Sequence, residues 1–282
     1  MRDLMRLVSG IRAEVRSKNV SLVAAGVAFY GLLAIFPAVI ALVTLYGLVA
    51  DPEEIATQLA DAPSAMPDEA RDLVTSQLAS VAAVGVGGLS FGLAISIAAT
   101  VWAAAGGVRA LSTGLNLIFD VAGDRGMVKR AATSLVLTLG AMVEAVVMLA
   151  LVAGFPVAIG RLGLDPVTAT FAQGLRWTLL VAALVVGLGV LYRWAPDRPP
   201  RRWRWISWGT VTAVALWAVG SVGFSVYVDN FGSYNATYGS IAAVIVLMLW
   251  LFLSAFAVLF GAVIDAVGDR DKDVIEATPT AR

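Results

Sequence analysis

The sequence predicts an all-α fold: a polytopic membrane helix bundle with six transmembrane helices and both termini in the cytoplasm. Three observations lead there. Of 282 residues, 59% are hydrophobic and 14% charged, with a mean hydropathy of +0.84, so the chain cannot cover itself with polar side chains in water. Apolar runs recur that are long enough for the about 20 residues a helix needs to cross a bilayer. Of the 20 Lys and Arg, only Arg71, Arg161 and Arg176, the last in the outer part of a span, fall toward the outside when the N-terminus is placed inside, the bias that sets orientation. A spanning barrel would instead show segments of about 10 residues with alternating polarity.

The elements follow in order. Leu4, Leu7, Val8, Ile11 and Val15 recur at helical spacing with Arg2, Arg6, Arg12 and Arg16 between them, which predicts an interfacial amphipathic helix over 1–20. The transmembrane domain, 21–266, holds spans over Leu22–Ala50, Val81–Ala105, Ala131–Gly154, Thr170–Leu191, Ile206–Val228 and Gly239–Asp265. The first is longer than the 7 to about 15 apolar residues of a secretory signal, so it reads as a retained span bent at Pro37. An outer loop, 51–80, carries seven acidic residues against one Arg. Its Asp51-Pro52-Glu53-Glu54 reads as a helix start, and Pro63 and Pro67 divide it into two short helices. Residues 267–282 are polar, without apolar period, and read as a disordered cytoplasmic tail.

The chain has no Cys and no His, which removes disulfides, thiolate metal sites and the commonest proton carrier at neutral pH. No glycine-rich phosphate loop followed by Lys-Ser or Lys-Thr occurs; Gly85-Val86-Gly87-Gly88 lies in an apolar run with no Lys after it. We expect no cofactor, no metal, no catalytic residue and no enzymatic activity.

A few placed polar groups are the candidates for function. Glu144 lies near the middle of the third span, where a charge costs about 2.5–3.5 kcal/mol on insertion scales. It reads either as a proton, cation or substrate site, or as a protonated carboxyl bonded to a neighbouring helix that approaches at Gly140 and Ala141. Trp250, Ser254, Ala257, Gly261 and Asp265 share one face of the sixth span, and Trp217, Ser221 and Ser225 one face of the fifth. Such stripes mark packing faces or line a cavity, and Asp265 at the cytoplasmic end reads as a gate or a solvated acid. Between these spans, Tyr234, Asn235, Thr237 and Tyr238 cluster in a segment that is polar for its depth. It reads as an interfacial belt with a turn, or as a re-entrant element presenting hydroxyls and an amide. Arg198, Arg201, Arg202, Trp203, Arg204 and Trp205 sit at a cytoplasmic boundary, where Arg is drawn to anionic headgroups and Trp lies at headgroup level. Stacking on nucleic acid bases is the weaker reading of that run.

The run Tyr234-Asn235-Ala236-Thr237-Tyr238-Gly239-Ser240, followed by Trp250-Leu251-Phe252-Leu253-Ser254 and Gly261-Ala262, resembles the YihY/BrkB family of membrane proteins. The likeness continues in Ala28-Phe29-Tyr30, Phe36-Pro37, Trp102, Arg109-Ala110-Leu111, Leu115-Asn116, Leu191-Tyr192-Arg193 and Ala195-Pro196. Where family members commonly read Gly-Ala-Glu-Leu-Asn-Ala, this chain has Gly261-Ala262-Val263-Ile264-Asp265-Ala266, so the Glu is absent. The resemblance implies a six-helix inner-membrane protein of a family long labelled ribonuclease BN, associated with envelope integrity and serum resistance, for which lipid or solute transport has been proposed.

The expected function is transport or translocation of a lipid or other amphipathic envelope solute in the cell inner membrane, using Glu144, Tyr234, Asn235, Thr237, Tyr238 and Asp265. No Lys or Arg lies at a span centre to hold a strongly charged cargo. A non-catalytic scaffold that docks an envelope protein on the 51–80 loop is the alternative, and a tRNA-processing ribonuclease a weaker one. The partners expected are membrane lipids and no nucleic acid; a homo-oligomer is compatible with the sequence.

Overall fold

A computed structural model describes residues 2–49, 91–121, 125–161, 165–198, 207–230 and 240–277. In chain order the helices are α1 (Arg2–Ser17), α2 (Val20–Val49), α3 (Phe91–Ile118) and α4 (Met127–Leu149). A π-helical turn, Ala150–Gly154, leads into α5 (Phe155–Arg161), followed by α6 (Pro166–Trp194), α7 (Trp208–Asn230) and α8 (Ser240–Ala277). The outer loop 51–80 lies outside the described residues, as do Arg201, Arg202, Trp203, Arg204, Trp205, Tyr234, Asn235, Thr237 and Tyr238.

Five stretches are long and apolar enough to cross a membrane: Val20–Ala38, Met127–Val152, Val167–Trp194, Trp208–Val228 and Val244–Arg270. They correspond to five of the six expected spans. The expected span Val81–Ala105 begins outside the described residues, and its remainder is the first half of α3, which continues as helix past Arg109 to Ile118. Apolar side chains on these stretches stay exposed, among them Val143, Val219 and Val222. Such surfaces suit lipid, against which no hydrophobic driving force exists and helices associate through close packing and hydrogen bonds instead.

Local chemistry sets the helix ends. The α6 start reads Asp165-Pro166-Val167-Thr168: Asp165 accepts from the Val167 and Thr168 backbone N–H groups at 3.1 and 3.2 Å. Pro166 occupies the first turn, where no N–H is needed. The Thr168 hydroxyl adds a bond to Asp165, which holds that carboxyl below the usual carboxylate range. At the end of α3, Asp120 adopts φ 53°, and the Val121 N–H reaches back to the Asn116 carbonyl at 2.9 Å. That is a Schellman-type stop, with Asp tolerated in the left-handed conformation that Gly usually fills. The π turn precedes Pro156, whose ring clashes with the carbonyl four residues back in a regular helix. There the Phe155 N–H bonds to Ala150, five residues earlier, so the widened turn carries the rod past the proline.

The chain divides into two compact units, Met1–Leu32 with Gly107–Arg282, and Leu33–Gly106. In the second, Ala34, Val101, Ala104 and Ala105 are buried, while Leu33, Phe36, Ile95 and Trp102 are exposed. The first unit holds the core: the start of α2 (Val20, Ala24), the end of α3 (Leu115, Ile118), the end of α6 (Tyr192) and the second half of α8 (Leu259, Ala262, Val263). Gly114 permits this convergence, since a Cβ there would stand 2.9 Å from Val23 and 3.2 Å from Leu259.

Two expectations change. The described apolar residues of α1 serve the protein core as well as any interface, for Ile11 and Val15 pack against it. Part of the expected irregular tail, 267–282, is helical: α8 runs on to Ala277. Ion pairs anchor this continuation. Arg270 grips Glu14 through two bonds of 3.1 and 3.2 Å and also pairs with Asp120, and Arg198 pairs with Asp269 at 3.5 Å.

Candidate functional site

The stripes on α7 and α8 meet each other. At one end the Trp217 indole N–H donates to Ser254 Oγ at 3.1 Å, and its ring sits edge-on to Trp250 with centroids 6.3 Å apart. At the other end Gly209 and Gly261 face each other so closely that a Cβ on either would enter the carbonyl of its partner. The Tyr192 hydroxyl closes this seam from α6 by donating to the Val258 carbonyl at 2.5 Å. These faces are therefore packing faces.

Asp265 belongs to the same seam. Its carboxylate accepts from Ser207 Oγ at 2.5 Å and from the Gly209 backbone N–H at 2.8 Å. Ser207 in turn accepts from the Thr210 N–H at 3.0 Å as the α7 cap. The orphan N–H groups and positive dipole end of α7 thus receive a carboxylate supplied by another helix. Asp265 is held by the protein rather than solvated, and its role in the fold is to bind α8 to the start of α7.

Glu144 stands in contrast. Gly140 and Ala141, the expected points of helix approach, are exposed, with open space at Gly140. The close approach is made from the opposite helix: Gly187 of α6 presents bare backbone to the Glu144 carboxylate, and a Cβ there would overlap it. Glu144 is half-buried. Among the described residues no hydrogen bond or ion pair reaches it.

Arg198, expected at lipid headgroups, is turned onto the protein: its guanidinium lies 3.7 Å over the Phe119 ring, besides its pair with Asp269.

A polar cleft of about 180 Å³ opens between the end of α3, the start of α4 and the turn after α6. From α3 come Arg109, Ser112, Thr113 and Asn116, a polar stripe at helical spacing. From the α4 side come Arg125, Arg130 and Thr133, and from the turn Asp197. The turn is fastened first. Arg125 donates to the carbonyls of Trp194 and Pro196 at 2.9 and 2.8 Å and pairs with Asp197 at 2.9 Å. The Asn116 side-chain carbonyl accepts from the Asp197 N–H at 2.8 Å. Arg130 approaches the same carboxylate at 3.9 Å, and the Asp197 side chain is only 4% exposed, so its charge is satisfied within the wall. Ser112 differs: its residue is 9% exposed, yet its buried hydroxyl has no hydrogen-bond partner. A buried polar group left so costs about 1–3 kcal/mol. Among the described residues no group of three or more Asp and Glu gathers as a metal site would need.

None of these cleft residues was expected as a site from the sequence. The signal was present: polar residues at 109, 112, 113 and 116 fall on one helical face, and the stretches Arg109-Ala110-Leu111, Leu115-Asn116 and Ala195-Pro196, far apart in the chain, converge here.

Long apolar helices with lipid-suited surfaces, joined through small residues and buried polar locks, define an integral membrane protein of several helical spans. The chain belongs to the BrkB family: the family model described as virulence factor BrkB matches residues 11–282. It is similar to the ribonuclease-like protein YfkH of Bacillus subtilis (strain 168), 32% identical over 271 residues, which cover 94% of each chain. It is also similar over shorter stretches to UPF0761 membrane proteins. That of Aliivibrio salmonicida (strain LFI1238) is 34% identical over 118 residues, 41% of this chain and 37% of the relative. That of Alteromonas mediterranea is 36% identical over 104 residues, 36% of this chain and 35% of the relative. No solved structure matches the chain.

Proposed function

We propose that this chain spans the cytoplasmic membrane six times, with both ends in the cytoplasm, and moves a lipid or other amphipathic envelope solute. The observation that carries this reading is Glu144. An ionisable group within a span is costly to insert, and this one rests against backbone at Gly187 with no hydrogen-bond or ion-pair partner among the described residues. Structural polar groups elsewhere in the bundle, Asp265 and Trp217, are each bonded to a named partner. A carboxyl without such a partner is available to a passing headgroup or proton. No Lys or Arg lies at a span centre, Arg176 being nearer the start of its span, which favours an amphipathic cargo over a strongly charged one.

Purified protein in liposomes carrying fluorescent lipids tests the reading. Exchange between leaflets is expected to speed up with the wild type and to fall toward the empty-liposome rate with Glu144→Gln. Equal exchange with and without protein overturns it. Tags placed at the N-terminus, in 199–206 and in the outer loop test the orientation; a tag in 199–206 reporting the opposite side from the N-terminus removes the six-span arrangement. A relative carries the words ribonuclease-like in its name; this chain has neither His nor Cys to serve as a general base or nucleophile.

A further inference from the structure

We propose that the cleft between α3, α4 and the turn after α6 is a binding site for a phosphate-bearing anion, gripped by Arg109 and Ser112. Charge is the first support. Among the described residues the lining carries three guanidinium groups, Arg109, Arg125 and Arg130, and one carboxylate, Asp197. The second is the division of labour among them. Arg125, Asp197 and Asn116 are bonded into the turn and hold its shape. That leaves a site whose walls are fixed before a ligand arrives, the condition under which little ordering is needed on binding. The third is the Ser112 hydroxyl, buried on the cleft lining and lacking a hydrogen-bond partner. A ligand oxygen is the acceptor it lacks.

The chemistry selects the ligand class. A guanidinium presents a planar fork of N–H donors that matches two oxygens of a phosphate, and a neighbouring hydroxyl adds a third donor. The volume of about 180 Å³ exceeds several times the ~30 Å³ share of one water, enough for a phosphate group with part of its ester. Basic pockets between membrane helices on the cytoplasmic side are suited to lipid headgroups, and this cleft lies on the flank to which the sequence assigns most of the Lys and Arg. A lipid phosphodiester and free phosphate share the required chemistry. The site does not depend on transport: binding without leaflet exchange would remove the transport reading and leave the site standing.

Melting curves and binding titrations of the full chain in a neutral detergent test it, with three probes: short-chain phosphatidylglycerol, inorganic phosphate, and diacylglycerol of the same chain length. Wild-type protein is expected to be stabilised by at least one phosphate-bearing probe and not by diacylglycerol. Response to phosphatidylglycerol alone identifies a lipid site, and saturation by inorganic phosphate identifies a soluble one. Arg109→Gln should weaken binding about tenfold or more, whereas Arg176→Gln, away from the cleft, should not change it. Ser112→Ala covers the case in which Arg109→Gln fails to fold. It removes an unpartnered hydroxyl, so the ligand-free protein should melt no lower than wild type, while affinity falls several-fold. Equal stabilisation by diacylglycerol, no response to either phosphate probe, or wild-type affinity in Ser112→Ala overturns the proposal.

Discussion

The α7–α8 seam and the cleft beside α3 draw on the same residue types, small side chains, hydroxyls and an acid, and put them to opposite ends. Along the seam Trp217 finds Ser254, Asp265 finds Ser207 and Gly209, and Gly209 lies on Gly261. In the cleft Asp197 and Arg125 satisfy each other, but Ser112 finds nothing, and among the described lining residues guanidinium groups outnumber carboxylates. The difference teaches where to look for function in a bundle of this kind: an unpartnered hydroxyl also occurs on the seam, at Ser221, so what sets the cleft apart is that its unpartnered Ser112 lines an open space together with guanidinium groups.

Substitutions separate the two regions. The largest effect should come from Gly261→Leu, whose side chain would be driven into the Gly209 backbone. Overpacking of this severity is expected to cost about 3 kcal/mol or more, read as loss of a monodisperse peak in size-exclusion chromatography. Asp265→Ala should be next. It strips an acceptor from Ser207 and from the Gly209 N–H, with an expected loss of about 1–3 kcal/mol and a lowered melting temperature. Asp265→Asn, which keeps a carbonyl oxygen, should recover part of it. Trp217→Phe removes an interhelical hydrogen bond together with part of the ring that meets Trp250, and the hydrogen bond itself should account for only about 0.6–1.5 kcal/mol. A loss as large as that of Asp265→Ala would mean that the Trp217–Trp250 packing, not the hydrogen bond, sustains that end of the seam.

The smallest effect belongs to the ion cluster at the end of α3. The Lys18 ammonium bonded to Asp120, with added attraction from Lys18 and Arg270, holds the Asp120 carboxyl below the usual carboxylate range. A depressed carboxyl pKa stabilises the fold above the unfolded-state value of about 3.9, and that contribution disappears as pH falls through the folded-state value. Asp120 is exposed, so after solvent screening the contribution is about 0–1 kcal/mol. The wild type should lose slightly more melting temperature than Asp120→Asn between pH 5 and about pH 3; equal losses would show that the cluster adds nothing.

Much of the fold was legible in the sequence because its signals are local. Hydropathy over about 20 residues marks the spans Met127–Val152 and Val167–Trp194, the Asp-Pro-x-Thr order marks the α6 start, and the spacing of Leu4 to Val15 marks α1. The small-residue stripes on α7 and α8 were legible as packing faces for the same reason. The site was less so. Asp265 reads as a terminal acid until the α7 N-terminus is found against it. Glu144 shows its depth in sequence, but the small residue that admits its carboxylate is Gly187 on another helix, not Gly140 beside it. The α8 extension to Ala277 was missed because its polar residues lack an apolar period, while the Glu14 that holds Arg270 lies 256 positions away.

By itself the sequence determined that this chain lives in a membrane and that it is helical, since apolar length is a property of each segment alone. Only the tertiary structure decided which polar groups are consumed by one another and which remain. Pairing depends on which helix faces meet, and no segment of the chain contains that information.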